Sequence, residues 1–360
     1  MKLSFVTQNE APFRMRWMDE LAKYIDVTVF HLNEYDASLD KRYISYHTNI
    51  AKSVDASKSV FGKIVYDVKR IINTEHDLLL LDGYGFFAQQ LLIEILIKKK
   101  IRYGLSIDGG FVHQRENIIK KYIKERTIKN ADFIFSTSKE TDKFLIYYGA
   151  NKDKLYRHRF SNIYLDDIQK KELSNETIRE SIGIRNVFTF LYCGRIIKSK
   201  GLDILSKAAD KIKDDFQIVV VGGSRDVAEE VYKGTSFGDK FVFVPFQQKE
   251  SLQRYYQAAD VFVLPTEHDA WGLVVGEAMA NGLPVITTDK CLAGVAMIKQ
   301  EENGYIFRVN DVEDLMNCMK KVMKRDISSM CEVCNSTAKE YALEMSTKDD
   351  IENMNKILKG

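Results

Sequence analysis

The feature that most constrains the fold is a repeated alternation of short apolar segments with longer amphipathic ones, such as Arg16–Tyr24 and Ala88–Lys99. Short runs of β-branched and aliphatic residues predict buried strands, and such alternation is typical of parallel βαβ units. In the first half the predicted strands are Lys2–Thr7, Asp26–His31, Asp77–Asp82, Arg102–Ile107 and Phe133–Thr137. In the second half they are Thr189–Cys193, Gln217–Val221, Phe241–Val244, Val261–Leu264, Pro284–Thr287 and Gly304–Val309.

Two such series in one chain predict an α/β fold with two doubly wound parallel sheets, each in a Rossmann-like domain. A length of 360 residues agrees, since it exceeds what one core usually supports. We place the first domain at residues 1–165 and the second at 166–337, and we expect residues 338–360 to form a helix that crosses back to the first. Parallel sheets bind ligands beyond the carboxyl ends of their strands, so two facing sheets predict a site in a cleft.

An acidic segment follows the predicted strand Val261–Leu264. Asp269 precedes a predicted helix and is suited to accept hydrogen bonds from sugar hydroxyls, while Glu277, two turns into that helix, is suited to a ribose diol. Gly272 allows a ligand to approach the first turn, Leu273 and Val274, where unpaired N–H groups favour phosphate or sugar oxygens. Taken singly, either acid is equally compatible with a helix cap or a solvated helix residue.

A second loop, between Gly194 and Gly201, places the cations Arg195 and Lys200 beyond the end of the predicted strand Thr189–Cys193. Arg195 is able to engage two oxygens and Lys200 supplies a point charge, which together suit a diphosphate. The alternative for this pair alone is two ordinary surface cations.

These two segments resemble the signatures of family-4 retaining glycosyltransferases, which have the GT-B fold. In that family the acidic pattern is E-x-F-G-L-x-x-x-E-A-M-A-x-G-x-P-V-I, and here Asp269 replaces the first Glu and Trp271 replaces Phe. Glu277 and the following Ala-Met-Ala-Asn-Gly-Leu-Pro-Val-Ile match closely. The family's G-R-x-x-x-x-K-G element is similar to Gly194–Gly201.

The resemblance implies a hexosyltransferase that moves a sugar from a nucleotide-diphosphate sugar, UDP-linked on family frequency, to a hydroxyl of a glycan or lipid-linked acceptor with retained configuration. The commonest bacterial setting is the biosynthesis of surface polysaccharide. No protein nucleophile is expected, and Arg195 and Lys200 would stabilise the leaving diphosphate. The expected donor contacts are Gly194, Arg195, Lys200, Gly222, Phe246, Asp269, Gly272, Leu273, Val274 and Glu277, and the expected catalytic residues are Asp269, Arg195, Lys200 and Asp108.

The first half matches that family less well. The glycine-rich loop that often follows the first strand is replaced by a stretch that ends at Arg14, which we assign to acceptor or phosphate binding, with local capping as the alternative. The family's histidine after a middle strand corresponds roughly to Asp108 here. Gly109 and Gly110 follow it and are assigned to the acceptor side, although Asp-Gly-Gly also fits a plain tight turn.

Charge is unevenly distributed along the chain. Residues 1–185 carry 31 Lys and Arg against 25 Asp and Glu, a net +6, whereas the rest carries 22 against 26, a net −4. Basic clusters interleaved with aromatic residues occur at 98–102 and 120–124, which suggests peripheral contact with an anionic membrane; the alternative is a solvated helix face. No run is long enough to span a bilayer, and no nucleic-acid motif is present. We expect a cytoplasmic protein, peripheral at the inner face of the membrane.

Neither a metal nor another cofactor is expected, because no acidic cluster follows a strand and Arg195 with Lys200 supplies the charge that a cation would bring. Two other enzyme classes are compatible with parts of the chain. One is a nucleotide-sugar epimerase of the same fold. The other is an NAD-dependent dehydrogenase, since Gly83–Ala88 fits the pattern G-x-G-x-x-A after a strand.

Overall fold

The computed structural model describes residues 1–8, 11–32, 52–54, 60–112, 116–170 and 176–360. Its chain divides into two units. The first comprises Met1–Asn162 together with Leu343–Gly360, and the second comprises Ile163–Ala342. The C-terminal helix therefore belongs to the first unit. The unit boundary lies three residues before the domain boundary that we predicted at residue 165.

The first unit is built on a seven-stranded parallel sheet with the strand order β3-β2-β1-β4-β5-β6-β7. In chain order its strands are β1 (Lys2–Thr7), β2 (Asp26–His31), β3 (Lys52–Val54), β4 (Leu78–Asp82), β5 (Gly104–Ile107), β6 (Phe133–Ser136) and β7 (Leu155–Arg157). Its helices are α1 (Pro12–Ala22), α2 (Val60–Asn73), α3 (Phe87–Lys99), α4 (Ile118–Asn130), α5 (Lys139–Tyr147) and the last helix of the chain, α14 (Leu343–Lys359). β4 and β5 are buried along their whole length, as strands covered on both faces require.

The second unit repeats the arrangement around a six-stranded parallel sheet with the order β10-β9-β8-β11-β12-β13. Its strands are β8 (Thr189–Cys193), β9 (Gln217–Val221), β10 (Phe241–Val244), β11 (Val261–Leu264), β12 (Val285–Thr288) and β13 (Gly304–Phe307). Its helices are α6 (Glu176–Ser181), α7 (Leu202–Asp210), α8 (Arg225–Val231), α9 (Lys249–Ala258), α10 (Leu273–Ala280), α11 (Leu292–Met297), α12 (Val312–Met323) and α13 (Ser328–Glu340).

The predicted fold class is confirmed, because both sheets are parallel and doubly wound. In each sheet the strand order reverses at one point, between β1 and β4 in the first unit and between β8 and β11 in the second. Crevices at the carboxyl ends of the strands on either side of such a switch point are where open α/β sheets bind ligands. Among the described helices, none is both long and apolar enough to cross a membrane.

Candidate functional site

The switch point of the second unit brings together the two loops that the sequence singled out. The loop 194–201 leaves β8 and the loop 265–272 leaves β11, which is the neighbouring strand. The backbones pack closely here. A Cβ atom on Gly201 would lie 2.0 Å from the carbonyl oxygen of Pro265, and one on Gly222 would lie 2.1 Å from that of Gly194. Gly201 is therefore required for these two loops to meet, and Gly222 is required for the turn after β9 to lie against the first loop.

Lys200 and Asp269, which are 69 residues apart in the chain, form an ion pair at this point. The Lys200 Nζ atom donates to Asp269 Oδ2 at 2.5 Å, and the side chains are 17% and 19% exposed. The main chain of Asp269 is fixed by its N–H group, which donates to the carbonyl oxygen of Lys290 at 3.0 Å. The diphosphate-binding cation and the sugar-binding acid that we predicted are thus in direct contact.

Arg195 completes the cationic side of the loop. Its side chain is exposed and forms no hydrogen bond or ion pair with the residues that the structure describes. The Tyr192 hydroxyl donates to the Arg195 carbonyl oxygen at 3.0 Å, which fixes the backbone and leaves the guanidinium available. Among the cations of this loop, Arg195 and Lys198 are exposed, whereas Lys200 is paired with an acid.

Helix α10 begins beside this pair. Its N-cap residue, Gly272, has a φ of +94° and provides no side chain to cap the first turn, so the amides of Leu273 and Val274 face no capping group. A Cβ atom at residue 272 would lie 2.7 Å from Cys291 Sγ, a second reason for glycine there. Uncapped helix N-termini favour anions and oxygen-rich ligands.

Glu277, about one turn into α10, is half-buried and is held by α9. The Tyr256 hydroxyl donates to Glu277 Oε2 at 3.1 Å, and the Tyr256 side chain is only 3% exposed. In the sequence, Tyr256 belongs to a segment whose apolar pattern indicates packing alone. That interpretation is incomplete, because its hydroxyl contacts a predicted site residue.

Two further predicted donor contacts lie at the ends of neighbouring strands. Gly222 follows β9 with a φ of +136°, and Phe246 lies two residues after β10 with 40% of its surface exposed. An exposed aromatic ring at this edge of the sheet is compatible with stacking on a nucleotide base. The role of Phe246 stays a prediction.

The switch point of the first unit carries a separate cluster of charged groups. The Arg14 guanidinium, from the first turn of α1, donates through Nε to Asp82 Oδ2 and through Nη2 to Asp108 Oδ2, both at 2.6 Å. The Thr7 hydroxyl, at the end of β1, donates to Asp82 Oδ2 at 2.9 Å. Arg14 therefore binds two carboxylates of its own unit and is not a solitary cation.

Burial is the largest influence on the pKa of Asp82. It raises the pKa of the Asp82 carboxyl to about 6; Arg14 opposes the rise and the Asp108 carboxylate adds to it. With one guanidinium and two carboxyls, the cluster has a net charge of −1 when both acids are ionised. Arg14 Nη1 and Asp108 Oδ1 are buried and have no hydrogen-bond partner in the part of the chain that the structure describes. Sequence reasoning missed Asp82, whose only signal is its place at the end of a strand.

Gly109 and Gly110 follow Asp108, whose carbonyl oxygen accepts from the Thr137 hydroxyl at 2.6 Å. A Cβ atom on Gly110 would lie 2.8 Å from the Phe144 ring, so packing already requires glycine at this position. The acceptor-binding role of both glycines stays a prediction. Asn9 and Glu10, in the stretch that ends at Arg14, lie outside the described residues.

The described residues contain no group of three or more His, Cys, Asp or Glu side chains placed to hold a metal ion. The segment Gly83–Ala88 runs from the end of β4 into the first turn of α3. A Cβ atom on Gly83 or Gly85 would meet nothing within 4 Å, and Phe87 is 64% exposed. Neither glycine is therefore required for close packing, although Gly83 has a φ of +75°.

Known proteins resemble this chain. The family model for glycosyl transferases, group 1, matches residues 174–341. An uncharacterized glycosyltransferase of Methanocaldococcus jannaschii is 30% identical over 192 residues, or 52% of this chain and 45% of that protein. The sulfoquinovosyl transferase of Arabidopsis thaliana is 29% identical over 54% of this chain and 38% of that protein. The matched part thus spans less than half of either relative.

Solved structures match along the whole chain. Anabaena HepE in complex with UDP has a TM-score of 0.80 at 15% identity, covering 99% of this chain and 100% of that one. Sucrose-phosphate synthase from Thermosynechococcus elongatus has a TM-score of 0.77 at 16% identity, covering 100% and 99%. At these identities the likeness concerns the fold, which is GT-B, whereas the sequence match identifies residues 174–341 as similar to group 1 glycosyltransferases. None of these four proteins carries the name of an epimerase or a dehydrogenase.

Proposed function

We propose that this chain is a retaining glycosyltransferase that transfers a sugar from a nucleotide-diphosphate sugar to an acceptor hydroxyl. One observation carries the proposal: in the second unit Lys200 and Asp269 meet beside the exposed Arg195 and the uncapped start of α10. Cations suited to a diphosphate, an acid suited to sugar hydroxyls and uncapped amide donors are thereby gathered at one switch point.

In this proposal the protein supplies charge and position. Arg195 and Lys200 neutralise the negative charge that develops on the leaving diphosphate, while Asp269 orients the sugar. The acceptor hydroxyl attacks the anomeric carbon from the face of the leaving group, so configuration is retained without a protein nucleophile. The two cations take the role of a divalent metal, which makes the reaction metal-independent.

The acceptor side is assigned to the first unit, around Arg14 and Asp108. Because two carboxyls share one guanidinium, the cluster repels a phosphate and favours a neutral group that donates a hydrogen bond. Asp108 Oδ1 and Arg14 Nη1 have no partner among the described residues, which leaves the cluster with one acceptor and one donor to satisfy. A glycan hydroxyl therefore fits this cluster better than a free phosphate does.

UDP is the proposed nucleotide, and a similar fold has been solved with UDP bound. Surface polysaccharide biosynthesis is the proposed setting. It is supported by a 27% identical Klebsiella pneumoniae protein of the cps region, matched over 75% of this chain, and by a structurally similar lipopolysaccharide outer core galactosyltransferase with a TM-score of 0.75.

Nucleotide binding tests the proposal directly. We expect one of UDP, GDP, ADP, dTDP and CMP to raise the melting temperature, with the same shift in excess EDTA. A ligand that binds only the folded state stabilises it by about 2.7 kcal/mol at 100 times its Kd, which is easily measured. If no nucleotide stabilises the protein but NADH does, the glycosyltransferase proposal is wrong. A shift that EDTA abolishes and Mg²⁺ restores contradicts metal independence alone.

A membrane-facing surface is proposed on the first turns of α4. Ile118, Ile119 and Tyr122 are 85%, 69% and 60% exposed, and Lys120 and Lys121 lie among them. Apolar side chains interleaved with lysines are suited to the headgroup region of an anionic bilayer. This surface would place the enzyme at the inner face of the cell membrane, within reach of a lipid-linked acceptor.

The other basic cluster, Lys98–Lys100, lies elsewhere. Helices α3 and α4 follow parallel strands and run in the same direction, and Arg126 of α4 binds Glu94 of α3 through two hydrogen bonds. With a rise of about 1.5 Å per residue, the C-terminal end of α3 lies at least about 15 Å along the axis from the start of α4. The two clusters therefore form separate surfaces.

We expect the Ile118→Ser/Ile119→Ser variant to bind phosphatidylglycerol vesicles at least about 10-fold more weakly than the wild type, because two exposed apolar groups can no longer enter the interface. The matched control, Lys98→Ser/Lys99→Ser, should lose less than about threefold in vesicle affinity. Vesicle sedimentation at 0.15 M salt measures both. If the isoleucine variant loses no more vesicle affinity than the lysine control, the exposed apolar residues do not enter the interface and the docking surface on α4 is wrong.

A further inference from the structure

Glu277 is oriented by a neighbour outside the motif to which it belongs. Its Oε2 atom accepts from the Tyr256 hydroxyl at 3.1 Å, and Tyr256 belongs to α9, a different helix. The Tyr256 ring is buried and lies 6.1 Å from the ring of Phe262 on β11, centroid to centroid. A carboxylate that is half-exposed on one helix is thus bonded to a hydroxyl that the core holds in place.

A second polar group approaches the same hydroxyl. The pKa of the Tyr256 hydroxyl is raised by burial and by the nearby Cys193 and Glu277. Burial raises the pKa of Cys193, the last residue of β8, to about 12, so its thiol is neutral. A neutral thiol does not compete with the Glu277 carboxylate for the hydroxyl proton of Tyr256.

From this chain of contacts we infer that Tyr256 is a positioning residue that fixes Glu277 for the ribose diol of the donor nucleotide. The inference rests on the proposed function. Packing alone does not require the hydroxyl, since phenylalanine would fill the same buried space. A buried phenol without a partner is costly, so the pairing with Glu277 also fixes where that carboxylate lies.

The consequence is a preference for ribonucleotides. Glu277 Oε2 is occupied by Tyr256, which restrains the rotation of the carboxylate. A restrained carboxylate loses less side-chain entropy when it accepts from two vicinal hydroxyls. Removing the Tyr256 hydroxyl should therefore weaken the binding of ribonucleotides more than the binding of their 2′-deoxy forms, which offer only one of the two hydroxyls.

Calorimetric titration of Tyr256→Phe with UDP, GDP and ADP, and with the 2′-deoxy form of each, tests the inference. For the diphosphate that the wild type binds, we expect affinity to fall about 10-fold, as for a hydrogen bond to a charged group. The affinity of Tyr256→Phe for the 2′-deoxy form should fall by less than about threefold. In a Glu277→Gln background, Tyr256→Phe should cause no further loss of ribonucleotide affinity.

Tyr255→Phe is the matched control, because it removes a hydroxyl from the adjacent residue of α9 and no contact of Tyr255 with Glu277 occurs among the described residues. It should leave both affinities unchanged. If the wild type binds a diphosphate and Tyr256→Phe binds both the ribonucleotide and its 2′-deoxy form as tightly as the wild type does, the positioning role is wrong and the proposed function stands. The positioning role would also be wrong if Tyr256→Phe caused the same loss of ribonucleotide affinity in the wild-type and Glu277→Gln backgrounds. If the wild type binds none of the diphosphates, both proposals are wrong.

Discussion

Replacing Lys200 by alanine will weaken nucleoside diphosphate binding by about 10- to 100-fold, the range expected for the loss of a hydrogen bond between charged groups. Replacing Asp269 by asparagine will have the opposite effect on the same ligand. The two results are linked because Lys200 Nζ binds Asp269 Oδ2 at 2.5 Å. An incoming diphosphate competes with that carboxylate for the ammonium group.

Asparagine at residue 269 keeps the shape of the side chain and removes its charge. It binds the ammonium group less strongly and has no negative charge to repel phosphate oxygens that bind Lys200. We expect the Kd of UDP to fall by about three- to tenfold, whereas sugar transfer should slow because Asp269 is assigned to the sugar. Binding and turnover thus change in opposite directions.

Calorimetry with UDP on both variants makes the comparison, and Lys198→Ala serves as the control. Lys198 lies in the same short 3-10 turn, is exposed and forms no ion pair with the described residues. Its removal should change the Kd by less than about twofold. If Asp269→Asn weakens UDP binding as much as Lys200→Ala does, the Asp269 carboxylate does not compete with the diphosphate for Lys200, and this prediction is wrong.

Most strands were predictable because each is a largely apolar run of four to six residues, long enough to form a buried strand. Lys2–Thr7, Thr189–Cys193 and Val261–Leu264 have the predicted bounds. The strands that the sequence did not indicate are β3 and β7, of three residues each at the two edges of the first sheet. Edge strands need little apolar surface, so their periodicity is too weak to detect.

The candidate site was predictable only where residues are close in sequence. The motif around Asp269 and Glu277 and the loop with Arg195 and Lys200 stood out because each combines charge, glycine and a strand end. Contacts across the sheet have no such signal. Asp82 lies 68 residues from Arg14 and Tyr256 lies 21 residues from Glu277, and both residues are otherwise ordinary members of a strand and a helix. Only strand order brings them together.

Replacing Asp350 by alanine will lower the free energy of unfolding of the first unit by about 3 to 5 kcal/mol, as is typical when one partner of a buried polar pair is removed. Asp350 lies on α14 and is fully buried. It accepts from Trp17 Nε1 of α1 at 2.9 Å, and its two oxygens lie 3.0 and 3.1 Å from Nδ1 of His158. Alanine leaves both nitrogen atoms buried without a partner and opens a cavity beneath α14.

The neighbouring Asp349 provides the control. It pairs with Arg159 at 2.8 Å, but both side chains are about 40% exposed, so Asp349→Ala should cost less than about 1 kcal/mol. Asp350→Asn retains one acceptor oxygen, so its loss of unfolding free energy should be intermediate, about 1 to 2 kcal/mol. Urea unfolding followed by Trp17 fluorescence in a Trp271→Phe background measures the first unit specifically, since the chain has only two tryptophans. Equal losses of unfolding free energy for Asp350→Ala and Asp349→Ala would mean that apolar contacts alone hold α14. The buried carboxylate would then add nothing to the packing of this helix on the first unit.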